Sequence, residues 1–146
     1  MTFSLVGRCD RSGAVGAVIA SASMAVAARC AAARAGAGAV CSQSTTVPRL
    51  REALLEAMAD GVTADDALAE LVARTEDIAY RQLAVVDAAG SSACYSGELA
   101  LGEAADICAA GAGAAGNLLA VYNNYDFSGP LDLVSRYSSV ADEVRK

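Results

Sequence analysis

The chain opens with alternation. In residues 2–9, TFSLVGRC, Phe3, Leu5 and Cys9 fall on one side and Thr2, Ser4 and Arg8 on the other. That period of two predicts a strand. Asp10, Arg11, Ser12 and Gly13 are turn chemistry, because Asp and Ser bond locally and Gly accepts positive φ. Residues 14–21, AVGAVIAS, predict a second strand that closes a hairpin. The Ala-rich run 22–35 fits either a helix or an extended excursion, and the pattern leaves both open. Residues 37–43, AGAVCSQ, predict a third strand.

The period then changes. Thr46 and Pro48 mark a helix start, Leu50, Leu54 and Met58 recur at helical spacing, and Gly61 stops the run, so a helix is predicted over 48–60. Thr63 with Asp66 three residues on resembles a capping box. Ala67, Leu68, Leu71 and Val72 then form the buried stripe of a second helix over 64–74. Residues 82–87 predict a short apolar strand, 87–90 a turn, and 92–96 the returning strand. The glycine-rich stretch 111–117 predicts a strand running into a turn, and a last helix is drawn around 131–137. The order of strands, helices, strands and helix suits an α+β layered fold. The chain has 146 residues, the size of one domain, taken here as 1–146.

Composition narrows the chemistry. Ala and Gly are abundant and aromatics make up only 5%, so the core is expected to consist of small side chains that let layers approach closely. Lys and Arg are scattered and the net charge is −6, which excludes the concentrated basic footprint a nucleic-acid reader needs. Histidine is absent. Without it, Ser-His-Asp and Cys-His catalysis and His-based zinc sites are closed to this chain. The five Cys (Cys9, Cys30, Cys41, Cys94 and Cys108) include no C-x-x-C pair. They are expected to be buried thiols of a cytoplasmic protein, with no metal and no cofactor. A reactive role for Cys9 or Cys41 is the less favoured reading.

Residues 13–28 imitate the apolar region of a signal peptide. They are Ala/Gly/Ser-rich rather than Leu-rich, and Asp10 interrupts the basic flank. Arg29 and Arg34 cut the run short of a membrane span, so no membrane is expected as a partner. Export with loss of the first 28 or so residues is the third and weakest functional reading.

A hydrolase without histidine can use its own amino terminus. The α-amine has a reference pKa of about 7.7–8.0, so part of it is free base near neutral pH. Joined to a hydroxyl on the same residue, it supplies base and nucleophile together. Removal of Met1 would expose Thr2 in that role. A Met-Thr start alone is common, but the surrounding sequence adds to it. TFSLVGRCD, Arg11-Ser12-Gly13, and GAVIAS with Ser21 and Ser23 come first. ARAGAGAVCSQS at 33–44, RQLAVVDAAG at 81–90, YSGE at 95–98 and AAGNLL at 114–119 follow. This series, over roughly residues 2–125, resembles domain-of-unknown-function family 1028, which belongs to the N-terminal-nucleophile (Ntn) hydrolase superfamily.

The resemblance implies a four-layer α-β-β-α sandwich with a shortened C-terminal part. It also implies hydrolysis of a small amide, ureide or short peptide by Thr2. Ser21 and Ser23 are placed to hydrogen-bond the amine. Gln43 and Asn117 are placed to donate to an oxyanion, although strand-end and turn roles account for the same residues. Arg29 and Arg34 could clamp a substrate carboxylate, with plain surface roles as the alternative. The only Lys is Lys146, which excludes the variant that uses a lysine beside the nucleophile. Relatives continue with further strands, so an open sheet edge completed by a second copy, a homo-oligomer, is expected. The competing reading is a non-catalytic member that uses the sandwich for binding or assembly. If Met1 stays, the Thr2 nitrogen is locked in a peptide bond and the mechanism fails.

Overall fold

A computed structural model describes residues 1–118, and the helix drawn around 131–137 lies outside them. The opening hairpin forms as its alternation predicts, with β1 (Thr2–Arg8) against β2 (Val15–Ser21). Gly13, at φ 69°, supplies the turn. The ambiguous Ala-rich run divides into a short helix α1 (Val26–Cys30) and a strand β3 (Ala31–Arg34). Next come β4 (Gly38–Ser44), α2 (Pro48–Ala59) and α3 (Ala64–Arg74). A 3-10 turn (Ile78–Tyr80) leads into β5 (Arg81–Asp87), β6 (Ser92–Ser96), β7 (Glu103–Ala109) and β8 (Ala112–Leu118).

Local chemistry explains most of these boundaries. Pro48 occupies the first turn of α2, where a missing N–H costs nothing. Thr46 does not cap that helix; its hydroxyl meets Cys30 Sγ at 3.2 Å instead. Thr63 caps α3, accepting from the Asp66 amide at 3.2 Å while donating to the Asp66 carboxylate at 2.8 Å. Asp87 is buried and spends its carboxylate on four amides. Oδ1 accepts from Ala89, Gly90 and Ser91, which shapes the β5–β6 turn, and Oδ2 accepts from Ala64 at the start of α3.

The strands form two antiparallel four-stranded sheets, in the orders β2-β1-β8-β7 and β3-β4-β5-β6. Period two divides the second sheet cleanly. Val40, Leu83 and Val85 face α2 and α3 and pack on Leu50, Leu54, Leu55, Met58, Leu68 and Leu71. Ala39, Cys41, Ala84 and Val86 face the first sheet and meet Val6 and Ala115. The described residues therefore stack as helices, sheet and sheet. The far face of the first sheet carries no helix among them, and Val18 on β2 is 63% exposed. On β1 the polar-looking side is the buried one. Ser4 and Val6 point between the sheets, where only small side chains fit, while Phe3 and Leu5 are half-buried on the outside.

Two expectations are corrected. β7 was not foreseen, because EAADICA is an exposed edge strand with neither strict alternation nor β-branched density. The cysteines are not all thiols: Cys94 on β6 and Cys108 on β7 form a disulfide, with Cα atoms 6.2 Å apart, that ties the edge of one sheet to the edge of the other. Disulfides persist in oxidising surroundings, so the cysteines no longer argue for a reducing compartment. Among the described residues no helix is long and apolar enough to cross a membrane.

The remaining thiols differ in environment. Cys30 and Cys41 are buried, and burial pushes the Cys41 thiol up to about 11 although the Ser4 hydroxyl pulls the other way. Cys9 lies just past the end of β1 and is exposed. Hydrogen bonds from the Ser12 hydroxyl first, then from the Ser12 and Arg11 amides, bring its thiol down to about 7. Iodoacetamide is therefore expected to alkylate Cys9 alone in the native protein, with a rate that climbs through a midpoint near pH 7. Peptide mapping of labelled protein over pH 6–9 checks this.

Gly38 begins β4 against the neighbouring strand. A Cβ there would sit 2.2 Å from the carbonyl oxygen of Val86, which backbone cannot yield. Gly38→Ala is expected to cost about 2 kcal/mol or more, read as a lowered midpoint in urea unfolding.

Candidate functional site

Strand polarity brings one end of every central strand to the same end of the sandwich. Thr2 opens β1 and lies in register between Ser21, the last residue of β2, and Asn117 near the end of β8. The Thr2 backbone nitrogen donates to Asn117 Oδ1 at 3.0 Å. The Thr2 and Ser21 hydroxyl oxygens lie 3.0 Å apart. Ser21 Oγ also donates to the Met1 carbonyl at 3.1 Å and accepts from the Ser23 amide at 3.1 Å. A hydroxyl has one proton, so while Ser21 gives its proton to Met1 the Thr2 hydroxyl is the donor in their mutual bond.

Behind Thr2, the small-residue layer between the sheets turns polar. Gln43 of β4 and Gln82 of β5 are direct cross-strand partners, and both are buried on the side facing the first sheet. Gln43 Nε2 donates to Gln82 Oε1 at 2.8 Å and to the Ala115 carbonyl at 3.1 Å, and lies 3.5 Å from the Thr2 carbonyl. Gln82 Nε2 in turn lies 3.0 Å from the carbonyls of Ala105 and Gly116 and 2.8 Å from Ser96 Oγ. Ser96 donates to Asp106. The two amides thus fasten one sheet to the backbone of the other directly beneath Thr2. Gln43 Oε1 is left buried without a partner, and the carbonyls crowding Nε2 prevent the amide from turning over.

Of the residues singled out from sequence, Thr2, Ser21, Gln43 and Asn117 come together. Ser23 stands one step back: its amide holds Ser21, and its hydroxyl accepts from Arg29 Nη2 at 2.6 Å. The N–H groups of Gln43 are committed to carbonyl oxygens inside the protein. Arg34 is paired with Gly38 at the opposite end of the sandwich, away from Thr2. Gln82 and Ser96 were missed. The available signal was a Gln on the inward side of an otherwise apolar strand, opposite another Gln. Among the described residues no three His, Cys, Asp or Glu side chains are grouped to hold a metal ion.

The sequence pattern of a family of unknown function, DUF1028, matches residues 2–125. The chain belongs to that family. A crystal structure of a DUF1028 protein, SPO2555 from Silicibacter pomeroyi, is similar with a TM-score of 0.77 and 28% identity. The similarity covers 82% of this chain and 56% of that one, so the DUF1028 chain described here spans little more than half the length of its structural relative. No curated protein matches it.

The buried amide pair makes a stability prediction. Gln82→Leu leaves the Gln43 N–H and the Ala105 and Gly116 carbonyls without their partner, and a loss of about 1–3 kcal/mol is expected. Chemical denaturation measures it. A change within a few tenths of a kcal/mol would show that water replaces the side chain without cost.

Proposed function

We propose that the protein is an Ntn-type amidohydrolase that cleaves a small amide, ureide or short peptide, with Thr2 as nucleophile once Met1 is removed. The observation that carries this reading is the double hold on Thr2: its nitrogen on Asn117 Oδ1 and its hydroxyl on Ser21. Base and nucleophile thus sit on one residue that is fixed at both atoms.

Removal of Met1 changes the chemistry of both contacts. The Thr2 nitrogen becomes an amine able to take the hydroxyl proton, and Asn117 Oδ1 orients it by accepting one of its N–H groups. Ser21 loses the Met1 carbonyl and its proton turns to Thr2. The Thr2 oxygen then attacks the amide carbon. Its proton passes through the amine to the leaving nitrogen, and water later cleaves the resulting ester. With Oδ1 engaged, Asn117 Nδ2 is the end of that side chain left to donate to the developing oxyanion. Gln43 acts from behind, holding the backbone of Thr2 against the second sheet. The four-layer α-β-β-α arrangement belongs to the same proposal, and what supports it is two antiparallel sheets with α2 and α3 packed on one of them.

The decisive measurement is intact mass combined with hydrolysis of a panel of small amides. Protein lacking Met1 is expected to be active and Thr2→Ala to lose activity by at least about 10³-fold. Full activity with Met1 still attached would overturn the proposal.

A further inference from the structure

The hydroxyl of Thr2 begins a polar path that leads out along the end of β2. Ser21 Oγ lies 3.0 Å from it, the Ser23 amide donates to Ser21 Oγ at 3.1 Å, and Arg29 Nη2 donates to Ser23 Oγ at 2.6 Å. Three hydrogen bonds and one serine residue place the guanidinium within about 12 Å of the Thr2 oxygen. We infer that Arg29 is the specificity-determining residue of this site and binds a carboxylate on the substrate. The amide cleaved then belongs to a small anionic molecule, such as an N-acyl amino acid or the half-amide of a dicarboxylic acid. This inference rests on Thr2 being the nucleophile.

Three features single out Arg29. Among the described residues no carboxylate pairs with its charge. The ion pairs among the described residues are Arg8–Asp10, Arg51–Glu52 and Arg74–Glu70, whereas Arg29 contacts only the neutral oxygens of Ser23 and Met24, both through Nη2. Nε and Nη1, on opposite sides of the guanidinium, carry no hydrogen bond among the described residues, and Nη1 can give a carboxylate a charge-assisted hydrogen bond.

Its position is also built. Arg51, reaching up from α2 and itself buried, donates Nη1 to the carbonyls of Ala28 and Ala31 on either side of Arg29, at 3.1 and 2.9 Å. Cys30 is buried against Thr46. The chain enters α1 through Ala25 at φ 51°, a conformation a non-glycine residue keeps only when its surroundings impose it.

Finally, two further described arginines are placed or used elsewhere. Arg34 stands at the far end of the sandwich and Arg81 donates to the Thr45 carbonyl. With a net charge of −6 the protein offers anions no general attraction, so any preference for them has to be local.

The test uses two probes that differ only in charge: the β-lactone of malic acid, which carries a carboxylate, and its methyl ester. With either, the Thr2 oxygen bonds to the lactone carbonyl carbon and the ring C–O bond breaks. The hydroxyl proton passes through the amine to the released ring oxygen, leaving an ester on Thr2 and a free alcohol. Acylation rates are read by intact mass and peptide mapping on full-length protein freed of Met1. In Arg29→Ala the ratio of acid to ester rates is expected to fall roughly tenfold, while the ester rate moves less than twofold and thereby reports an intact site. Arg29→Lys is expected to keep part of the preference. An unchanged ratio in Arg29→Ala overturns the role of Arg29 and leaves Thr2 standing. Failure of both probes to acylate Thr2 in the wild-type protein overturns the nucleophile and this inference with it.

Discussion

The two sheets approach closely because the layer between them is made of small side chains. Val6, Ala39, Cys41, Ala84, Val86 and Ala115 fill it, with no Leu, Phe or Met among them. Facing sheets ordinarily stand about 10 Å apart. A glutamine rising from one sheet can therefore reach the backbone of the other only where intervening side chains are short. Gln43 and Gln82 do this, reaching the carbonyls of Ala115, Gly116 and Ala105 across the gap. Larger residues in this layer would lift the sheets apart, and the polar end of the sandwich would lose the contacts that hold β1 in place. The abundance of Ala and Gly is thus a geometric requirement of the site.

The division of labour between the two faces of the second sheet follows from the same constraint. On the face toward α2 and α3, Leu83 packs with Leu50, Leu54, Leu55, Met58, Leu68 and Leu71 of the helices, and this layer supplies most of the apolar burial. The face toward the first sheet contributes proximity, and at one end polarity, at some expense in hydrophobic stabilisation. Burying two amides is tolerable because their four N–H groups find oxygen acceptors. The cross-sheet disulfide and the Arg8 contact to the Ala88 carbonyl, at 2.7 Å, add fixed points at the edge and at the far end.

What could be read from the sequence was what local chemistry decides. The opening hairpin, both long helices, the Thr63 cap and the Asp87 turn all appear where their residues predict them, because each depends on neighbours within a few positions. Four candidate site residues converge because strand ends in antiparallel sheets collect at two poles, which the element order already constrains. What stayed hidden depends on distant partners. β7 is an edge strand made by its pairing with β8. Cys94 and Cys108 meet across the gap between sheets, and no spacing rule foretells that. The inward orientation of Ser4 and Val6 is set by the room the second sheet leaves. The importance of Gln82 depends on acceptors more than twenty positions away, in β7 and β8.

The placement of β1 also governs when the site can exist. It is a central strand, with the adjacent hairpin partner on one side and β8 on the other. Thr2 finds Ser21 early, but the contact with Asn117 spans 115 residues of chain. Closing so long a loop is entropically slow to be repaid, and topologies dominated by such contacts fold late and cooperatively. During synthesis the hairpin must wait with an unpaired edge until nearly all of the described chain has emerged. The neighbourhood of Thr2 is therefore among the last parts of the described fold to assemble, although Thr2 is made before every strand it pairs with.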